Sequence, residues 1–379
     1  MGRNNKKYKK SLHDQAYERL NSMLVPGDSK HHDKVDNPDA LKDKIYSFST
    51  YKTYKKHIGY FLSWVKKEHS DVTTLRKARK YVNDYLAIRS ETKNKNGQYL
   101  SAWTISLETA ALSKLYGIDK SDPDRFQPPE RHRVDIKRSR VDVERDKHFS
   151  VKNNSDLIKF CRATGCRRGV LEKLRGDDYW TRDHMEQKIS ELEDKSKTEC
   201  INAKEKTMLS DLKASLKMFP DEKDFIYHRR DKGGKSRFAP VIGPDKGMVI
   251  DRFRRTEPDK KVWLHVHTKA DIHSYRADYV TMIYHKYARD IKDIPFDKIN
   301  KGSGKKYQSA VYHCRGDECQ KKLDKKAMSM ASYAVGHNRI SVIASSYLYN
   351  DGSVKRIAWN PILFIYCTLT TEYIAKNCR

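Results

Sequence analysis

Long apolar runs are missing from this sequence. The most apolar stretch, "NPILFIYCTL" at 360–369, is shorter than the roughly 18 residues that a membrane-spanning helix needs. The basic N-terminus, "MGRNNKKYKK", is not followed by an apolar core, so no signal peptide is expected. Both observations favour a cytoplasmic protein with no membrane partner.

The 7 cysteines lack the spacing of a zinc site, and no CxxC pair occurs. The nearest approach is "HCRGDEC", where His313 precedes Cys314 and Cys319 follows. A metal centre there is the weaker interpretation, and reduced thiols in a reducing compartment are the better one. The phosphate-binding pattern "GxxxxGK[ST]" is also missing, which argues against an ATP-driven step. We therefore expect neither a metal nor a cofactor.

Acidic residues are outnumbered along the whole chain of 379 residues. Lys and Arg total 78, Asp and Glu total 50, and the net charge is +28. Such a surplus favours a polyanionic partner, because each neutralised phosphate releases a condensed counterion. Charge alone does not distinguish an enzyme that acts on nucleic acid from a structural protein that binds a polyanion.

The pattern of apolar residues predicts a mainly α protein with a small β-sheet, in the α+β class. Residues 1–44 are polar and basic and indicate a flexible arm, apart from a short possible helix at "AYERLNSML". Residues 45–120 repeat an amphipathic helical stripe and predict a small α-helical module. The prolines and dense charge of 121–148 predict an extended linker between domains.

Residues 149–355 predict a second, mixed domain. A helix ends at Gly165, a helical hairpin is inserted near 181–218, and two strands flank the Gly-Gly turn of "DKGGK". A further insertion is expected near 292–325, where "YQSAVYHCRGDECQKKLD" suggests a hairpin. Residues 356–379 form a C-terminal tail, for which a contact with a second protomer and packing on its own domain are equally good interpretations.

Four short clusters in the second domain contain residues with chemical potential: "ATGCRRGVLEKL", "RDKGGKSRFAPV", "HSYR" and "VGHNRISVIASSY". Each has an ordinary explanation when taken alone. An arginine after a helix-ending glycine is usually solvated, and a lysine beside a Gly-Gly turn is usually turn chemistry. Histidine and arginine at i, i+3 share a helix face, which is often only a local contact.

The order of the clusters resembles that of the tyrosine recombinases, the phage-type integrases. The resemblance covers about 160–350 by motif and 45–118 by layout only. The matching residues are the first arginine Arg167, the hairpin lysine Lys232 (with Lys235 as the weaker candidate), the HxxR pair His273 and Arg276, the last histidine His337 and the nucleophile Tyr347. Tyr349 lies two residues further and would face another direction.

The resemblance implies cleavage of a phosphodiester without a metal. Arg167 and Arg276 would stabilise the charge on the phosphorane, because a guanidinium offers a planar, always-charged fork to phosphate oxygens. Tyr347 would be the nucleophile, His273 would handle its proton, and His337 would donate a hydrogen bond to the phosphate. Lys232 would protonate the leaving 5′-hydroxyl.

The sequence departs from the family pattern at one catalytic motif. The family usually has an acidic residue three positions after the first arginine, where this chain has Val170, and Glu172 is the nearest acid. That acid normally orders the catalytic histidine and arginine, so its absence places some doubt on activity. The chain between Arg276 and His337 is also longer than usual, which the predicted hairpin in the second insertion explains.

The resemblance implies a bacterial, nucleoid-associated integrase of a mobile element, with residues 1–44 as an arm-binding segment. Its two larger domains would clamp duplex DNA, and a homotetramer would exchange strands through a Holliday junction, with accessory DNA-bending or excision factors as further partners. A type IB topoisomerase, which shares the catalytic residues, and a decayed relative that only binds DNA are the alternatives.

The candidate DNA contacts lie in the helical module, in the linker and beside the Gly-Gly turn. They are Lys55, Lys56, Lys235, Arg237 and the basic linker stretch "KRSR" at positions 137 and 139, which Lys137 and Ser139 occupy. Arginines are dense in this linker and could lie along a phosphate backbone.

Overall fold

The computed structural model describes residues 10–94, 96–132, 149–229, 231, 236–294, 310–315, 318–337 and 339–348. The chain divides into two compact units, Met1–Arg131 and His132–Arg379. The described parts are mostly helical with two small antiparallel sheets, which confirms the α+β class. Within these ranges no helix combines the length and the apolar character needed to cross a membrane.

The described part of the first unit is built from helices. They are α1 Leu12–Ser22, α2 Lys30–Asp36, α3 Phe48–Glu68, α4 Leu75–Ala78, α5 Val82–Glu91 and α6 Ala102–Tyr116. The stripe predicted for α3 is confirmed, because Ile58, Phe61, Leu62 and Val65 are fully buried in one core. The predicted end of α6 is also confirmed at Gly117, whose φ of 65° places it in the left-handed region that glycine favours.

The prediction of a flexible arm is wrong for the described residues before 45. Ser11 begins α1 with a capping box to Asp14, and Ala16 and Leu20 are fully buried in the core of the first unit. The backbone N–H of Ile45 donates to the carbonyl of Met23 at 2.6 Å. The apolar residues of α1 recur at helical spacing, but the charged residues around them obscured that period.

The linker prediction also fails where the chain leaves α6. Asn83 Nδ2 donates to the carbonyl of Asp124 at 2.7 Å, and Arg125 Nε donates to Ser113 Oγ at 3.2 Å. Phe126 packs against the core of the first unit, so this part of the predicted linker belongs to that unit. The predicted DNA contacts at Lys137 and Ser139 lie outside the described residues.

The second unit contains the remaining described elements. Its helices are α7 Ser155–Thr164, α8 Arg168–Leu171, α9 Arg182–Thr198, α10 Ala203–Met218, α11 Lys246–Arg254, α12 Ile272–Tyr287, α13 Lys325–Ala334 and α14 Ser341–Ser346. Its strands are β1 Tyr179–Thr181, β2 Asp224–His228, β3 Arg237–Pro240, β4 Val311–His313 and β5 Lys322–Asp324.

Both predicted insertions are confirmed as hairpins. Helices α9 and α10 lie between β1 and β2, and β4 pairs antiparallel with β5 within the second insertion. Strands β1, β2 and β3 form one antiparallel sheet, with His228 opposite Arg237. The helix predicted at "RRGVLEKL" is shorter than expected, since α8 ends at Leu171, although Val170 and Leu174 are buried as predicted.

Three chain segments that carry predicted site residues meet around α12. Helix α12 packs against α7 on one side and α13 on the other. Helix α7 ends at Gly165, whose φ is 59°, and a Cβ there would lie 2.2 Å from Cδ1 of Tyr279 on α12. Only glycine permits this close approach, which brings the end of α7 and the following Arg167 next to Arg276.

Candidate active site

Arg276 holds the centre of the site from within α12. Asp271 caps this helix by accepting a hydrogen bond from the Ser274 N–H, which places His273 and Arg276 one turn apart on one face. Arg276 is only 2% exposed. Its Nη1 donates to the carbonyl of Gly165 and its Nη2 to the carbonyl of Val335. These two bonds fix the plane of the guanidinium.

Tyr347 lies directly against that guanidinium. Its hydroxyl accepts a hydrogen bond from Arg276 Nε at 3.2 Å and lies 3.0 Å from His337 Nε2. The His273 ring stacks on the Tyr347 ring, with centroids 5.4 Å apart and planes 11° from parallel. Both histidines of the predicted set and Arg276 therefore contact Tyr347.

The path from His337 to Tyr347 differs in detail from the prediction. His337 was expected to start a helix, but it lies in the loop that follows Gly336, and the next described helix, α14, begins at Ser341. Tyr347 directly follows α14 as its C-cap residue. The helix carries the chain through most of the spacing between the two residues and returns the tyrosine to the histidine.

Arg167 joins the site from the turn between α7 and α8. Its Nη1 donates to Asp231, and its Nη2 donates to the carbonyl of Val335 at 3.4 Å. The Val335 carbonyl thus accepts from both predicted arginines, Arg167 and Arg276. The Arg167 side chain is 23% exposed, so this guanidinium reaches the surface and can present its remaining N–H groups to an anion.

The cationic surroundings control the charge of His337. Burial, and then the nearby Arg276 and Arg167, lower the pKa of His337 to about 4, so the imidazole is neutral at pH 7. Burial also lowers the pKa of Arg276 to about 10, which leaves the guanidinium charged. A guanidinium only donates hydrogen bonds, so Tyr347 Oη accepts from Arg276, and its single proton can be donated to neutral His337.

The sequence prediction missed Asp231 and assigned Arg237 a different role. Asp231 lies between β2 and β3 and contacts Arg167 and Arg237. Arg237 was predicted to contact DNA from the surface, but it is 3% exposed and donates to the carbonyl of Ala334, so its guanidinium faces the interior. Both residues stand near Lys232 in "RDKGGKSR", where the turn and the lysine drew the interpretation.

The remaining predicted contacts fall into two groups. Lys232, Lys235 and Tyr349 lie outside the described residues. Lys55 and Lys56 line a surface concavity of about 480 Å³ on the first unit, together with aromatic residues. Lys55 Nζ lies 4.1 Å from the ring centroid of Tyr17 on α1, so the helix missed by the sequence prediction shapes this basic surface.

Comparison of the sequence with models of known protein families and with curated proteins finds no match. Among the described residues, no group of three or more His, Cys, Asp or Glu side chains is placed to hold a metal ion. The arrangement therefore has to be understood from its own chemistry. It places a phenolic hydroxyl, two arginines and two imidazoles within one small region of the second unit.

Proposed function

We propose that the protein is a site-specific DNA recombinase that cleaves and rejoins strands through a 3′-phosphotyrosyl intermediate. The observation that carries the proposal is the placement of the Tyr347 hydroxyl between Arg276 Nε at 3.2 Å and His337 Nε2 at 3.0 Å. Arg276 comes from a distant part of the chain, and a core packed only for stability has no need of a tyrosine hydroxyl beside a buried guanidinium.

The proposed reaction is a transesterification. Tyr347 Oη attacks the phosphorus, the bond to the 5′-oxygen breaks, and the tyrosine proton passes to His337 or His273, which both contact Tyr347. Arg276 and Arg167 stabilise the negative charge that develops on the phosphoryl oxygens. The leaving 5′-oxygen takes a proton from a general acid, for which Lys232 stays a prediction outside the described residues.

The substrate in this proposal is duplex DNA, and strand exchange on paired sites integrates or excises a mobile element. The net charge of +28 supports binding to the phosphate backbone. So does the concavity that contains Lys55 and Lys56 on the first unit. Because the phosphotyrosyl bond conserves the energy of the broken bond, religation needs no nucleotide cofactor.

Trapping the covalent intermediate tests the proposal with DNA of any sequence. Duplexes with a random central sequence and a nick on one strand are incubated with the protein, and adducts are separated on a denaturing gel. Cleavage near the nick releases a short fragment, so religation fails and the adduct accumulates. Wild-type protein is expected to yield an adduct, and Tyr347→Phe none.

The outcomes separate the alternatives. Recovered adducts that share one sequence support a recombinase, whereas adducts of unrelated sequence, together with relaxation of a supercoiled plasmid, identify a topoisomerase. Retention of duplexes in a native gel without any covalent product identifies a protein that only binds DNA, and contradicts the proposal.

A further inference from the structure

Asp231 occupies a buried position between the first arginine of the site and the sheet. It follows β2 in the chain, and the residue is 6% exposed. One oxygen, Oδ2, accepts hydrogen bonds from Arg167 Nη1 and from Arg237 Nη2, the latter at 2.9 Å. A single carboxylate therefore ties the loop that carries Arg167 to β3.

Arg237 extends this connection to the segment that carries His337. Its Nε donates to the carbonyl of Ala334 at 2.8 Å. Gly336 packs so closely on the guanidinium that a Cβ at this position would lie 2.4 Å from Arg237 Nη1. The orientation of Arg237 thus determines where the backbone just before His337 can lie.

His228 supports Arg237 from behind and stays neutral. Its Nδ1 lies 2.9 Å from Arg237 Nη2 and must accept, because a guanidinium only donates. The ring proton is therefore on Nε2, which lies 3.6 Å from the Sγ of Cys166, the residue before Arg167. Burial and the charge of Arg237 hold the pKa of His228 well below its usual value, so His228 adds no positive charge.

The sequence position where the family has its acid does not take this place, and neither does the nearest acid. The position three residues after Arg167 is Val170, which is 5% exposed and packs in an apolar cluster. Glu172 is exposed at the end of α8. Buried guanidiniums require a counter-charge, since an uncompensated charge in the interior is costly. Among the described residues, Asp231 is the carboxylate in contact with Arg167 and with Arg237.

We infer that Asp231 is the positioning carboxylate of the candidate active site and fixes Arg167 and the Gly336–His337 segment from the β2–β3 hairpin. This inference rests on the proposed function. It replaces the acid expected on the helix after the first arginine with one delivered from a different element. The doubt that Val170 places on activity is thereby removed, because the carboxylate is present from another direction.

A double-mutant cycle distinguishes positioning from general structural support. Asp231→Asn keeps the size of the side chain and removes its charge, and the rate of adduct formation is measured in a single turnover at saturating DNA. We expect the rate to fall by ~100-fold, the loss that a displacement of about 1 Å produces. In an Arg167→Lys background the same change should cost less than about 3-fold, because interacting residues are not additive.

Glu172→Gln is the matched control and should leave the rate unchanged. Equal losses from Asp231→Asn in both backgrounds would overturn the inference, as would a wild-type rate for Asp231→Asn. If Asp231→Asn does not fold, Asp231→Glu carries the test, since the longer carboxylate shifts Arg167 and should slow cleavage, and a wild-type rate contradicts the inference. Absence of an adduct from the wild-type protein itself would instead overturn the proposed function, and the inference with it.

Discussion

Arg276 combines two tasks that a smaller cation could not perform together. Its two Nη atoms donate to the carbonyls of Gly165 and Val335, while Nε donates to Tyr347 Oη. The planar fork of a guanidinium can point in all three directions, whereas an ammonium group is a compact point charge. The residue therefore joins the end of α7, the end of α13 and the tyrosine.

Replacement of Arg276 by lysine separates these tasks from charge alone. We expect Arg276→Lys to lower the unfolding free energy by about 1–3 kcal/mol for each carbonyl left without a donor. The single-turnover rate of adduct formation should fall by about 100-fold or more, as for loss of a transition-state donor. Urea denaturation and the trapping assay measure the two effects.

Arg162→Lys provides the control for this substitution. Arg162 lies on α7 and pairs with Asp278, with both side chains about half exposed. Exposed pairs contribute little, so the change should stay within about 0.5 kcal/mol and leave cleavage unaffected. Similar losses in both variants would show that Arg276 does not have the special role assigned to it.

The charge state of His337 gives the free protein a pH dependence. Its pKa is about 4 when folded, against about 6.5 for a solvent-exposed histidine, so the unfolded chain binds more protons between these values. The unfolding free energy should therefore fall as the pH decreases from about 6.5 towards about 4. His337→Gln removes this titration.

We expect the stability of the wild type, relative to His337→Gln, to decrease from about pH 7.5 to about pH 5, a range that crosses the unfolded pKa of histidine. Urea denaturation of both proteins at the two pH values measures the difference. A difference that stays constant, or that increases at the lower pH, would contradict the burial and cationic environment assigned to His337.

Among the secondary-structure elements, α13 and α14 are joined by a strongly constrained turn. Gly336 has φ of 65° and lies against Arg237, so a side chain would be strained by the backbone and blocked by the guanidinium. Gly336→Ala should cost about 1–2 kcal/mol for the left-handed backbone alone, and more once Arg237 is displaced. Adduct formation should slow as well, because His337 follows directly.

Gly243→Ala isolates the backbone contribution in the same unit. Gly243 has φ of 87°, and an added Cβ would lie 3.0 Å from Sδ of Met282, the end part of a flexible side chain. The urea transition of the second unit should therefore shift less for Gly243→Ala than for Gly336→Ala. Equal shifts would show that the contact between Gly336 and Arg237 is unimportant.

Local patterns predicted elements well where one period dominated. The stripe on α3 and the two hairpins follow from helical spacing and from turn residues, which are local signals. Helix α1 was assigned to a flexible arm because charged residues surround its few apolar positions. The short length of α8 depends on how Val170 and Leu171 pack in the core of the second unit, which no local pattern records.

The candidate site was predictable in its members and not in its connections. The order of arginine, histidines and tyrosine in the chain pointed to Arg167, His273, Arg276, His337 and Tyr347. The contact between an aspartate and the first arginine spans 64 residues and depends on how the β2–β3 hairpin closes over the loop after α7. Burial of the arginine that begins β3 has the same cause, since an arginine after a turn resembles a surface residue in sequence.

For the whole molecule, the positive charge should govern affinity for DNA. If Lys55 and Lys56 contact phosphates, Lys55→Gln and Lys56→Gln should each reduce the slope of log affinity against log salt by about 1. Fluorescence anisotropy with a labelled duplex at several salt concentrations measures the slope. The loss should be similar for different DNA sequences, because phosphate contacts carry no base information.

Lys67→Gln is the control on the same helix. Lys67 is on α3, pairs with Glu68 and lies outside the concavity that contains Lys55 and Lys56. Its removal should change the slope less than either test substitution does. A larger effect from Lys67→Gln would place the DNA-binding surface of the first unit elsewhere.

The identity of the residue that becomes linked to DNA tests the central claim most directly. The trapped adduct is digested with protease and nuclease, and the modified peptide is sequenced by mass spectrometry. The proposed chemistry predicts a phosphoryl group on Tyr347, joined to a DNA 3′-end, with a free 5′-hydroxyl on the released strand. Attachment to Tyr349 or another residue, or a 5′-phosphoryl linkage, would contradict it.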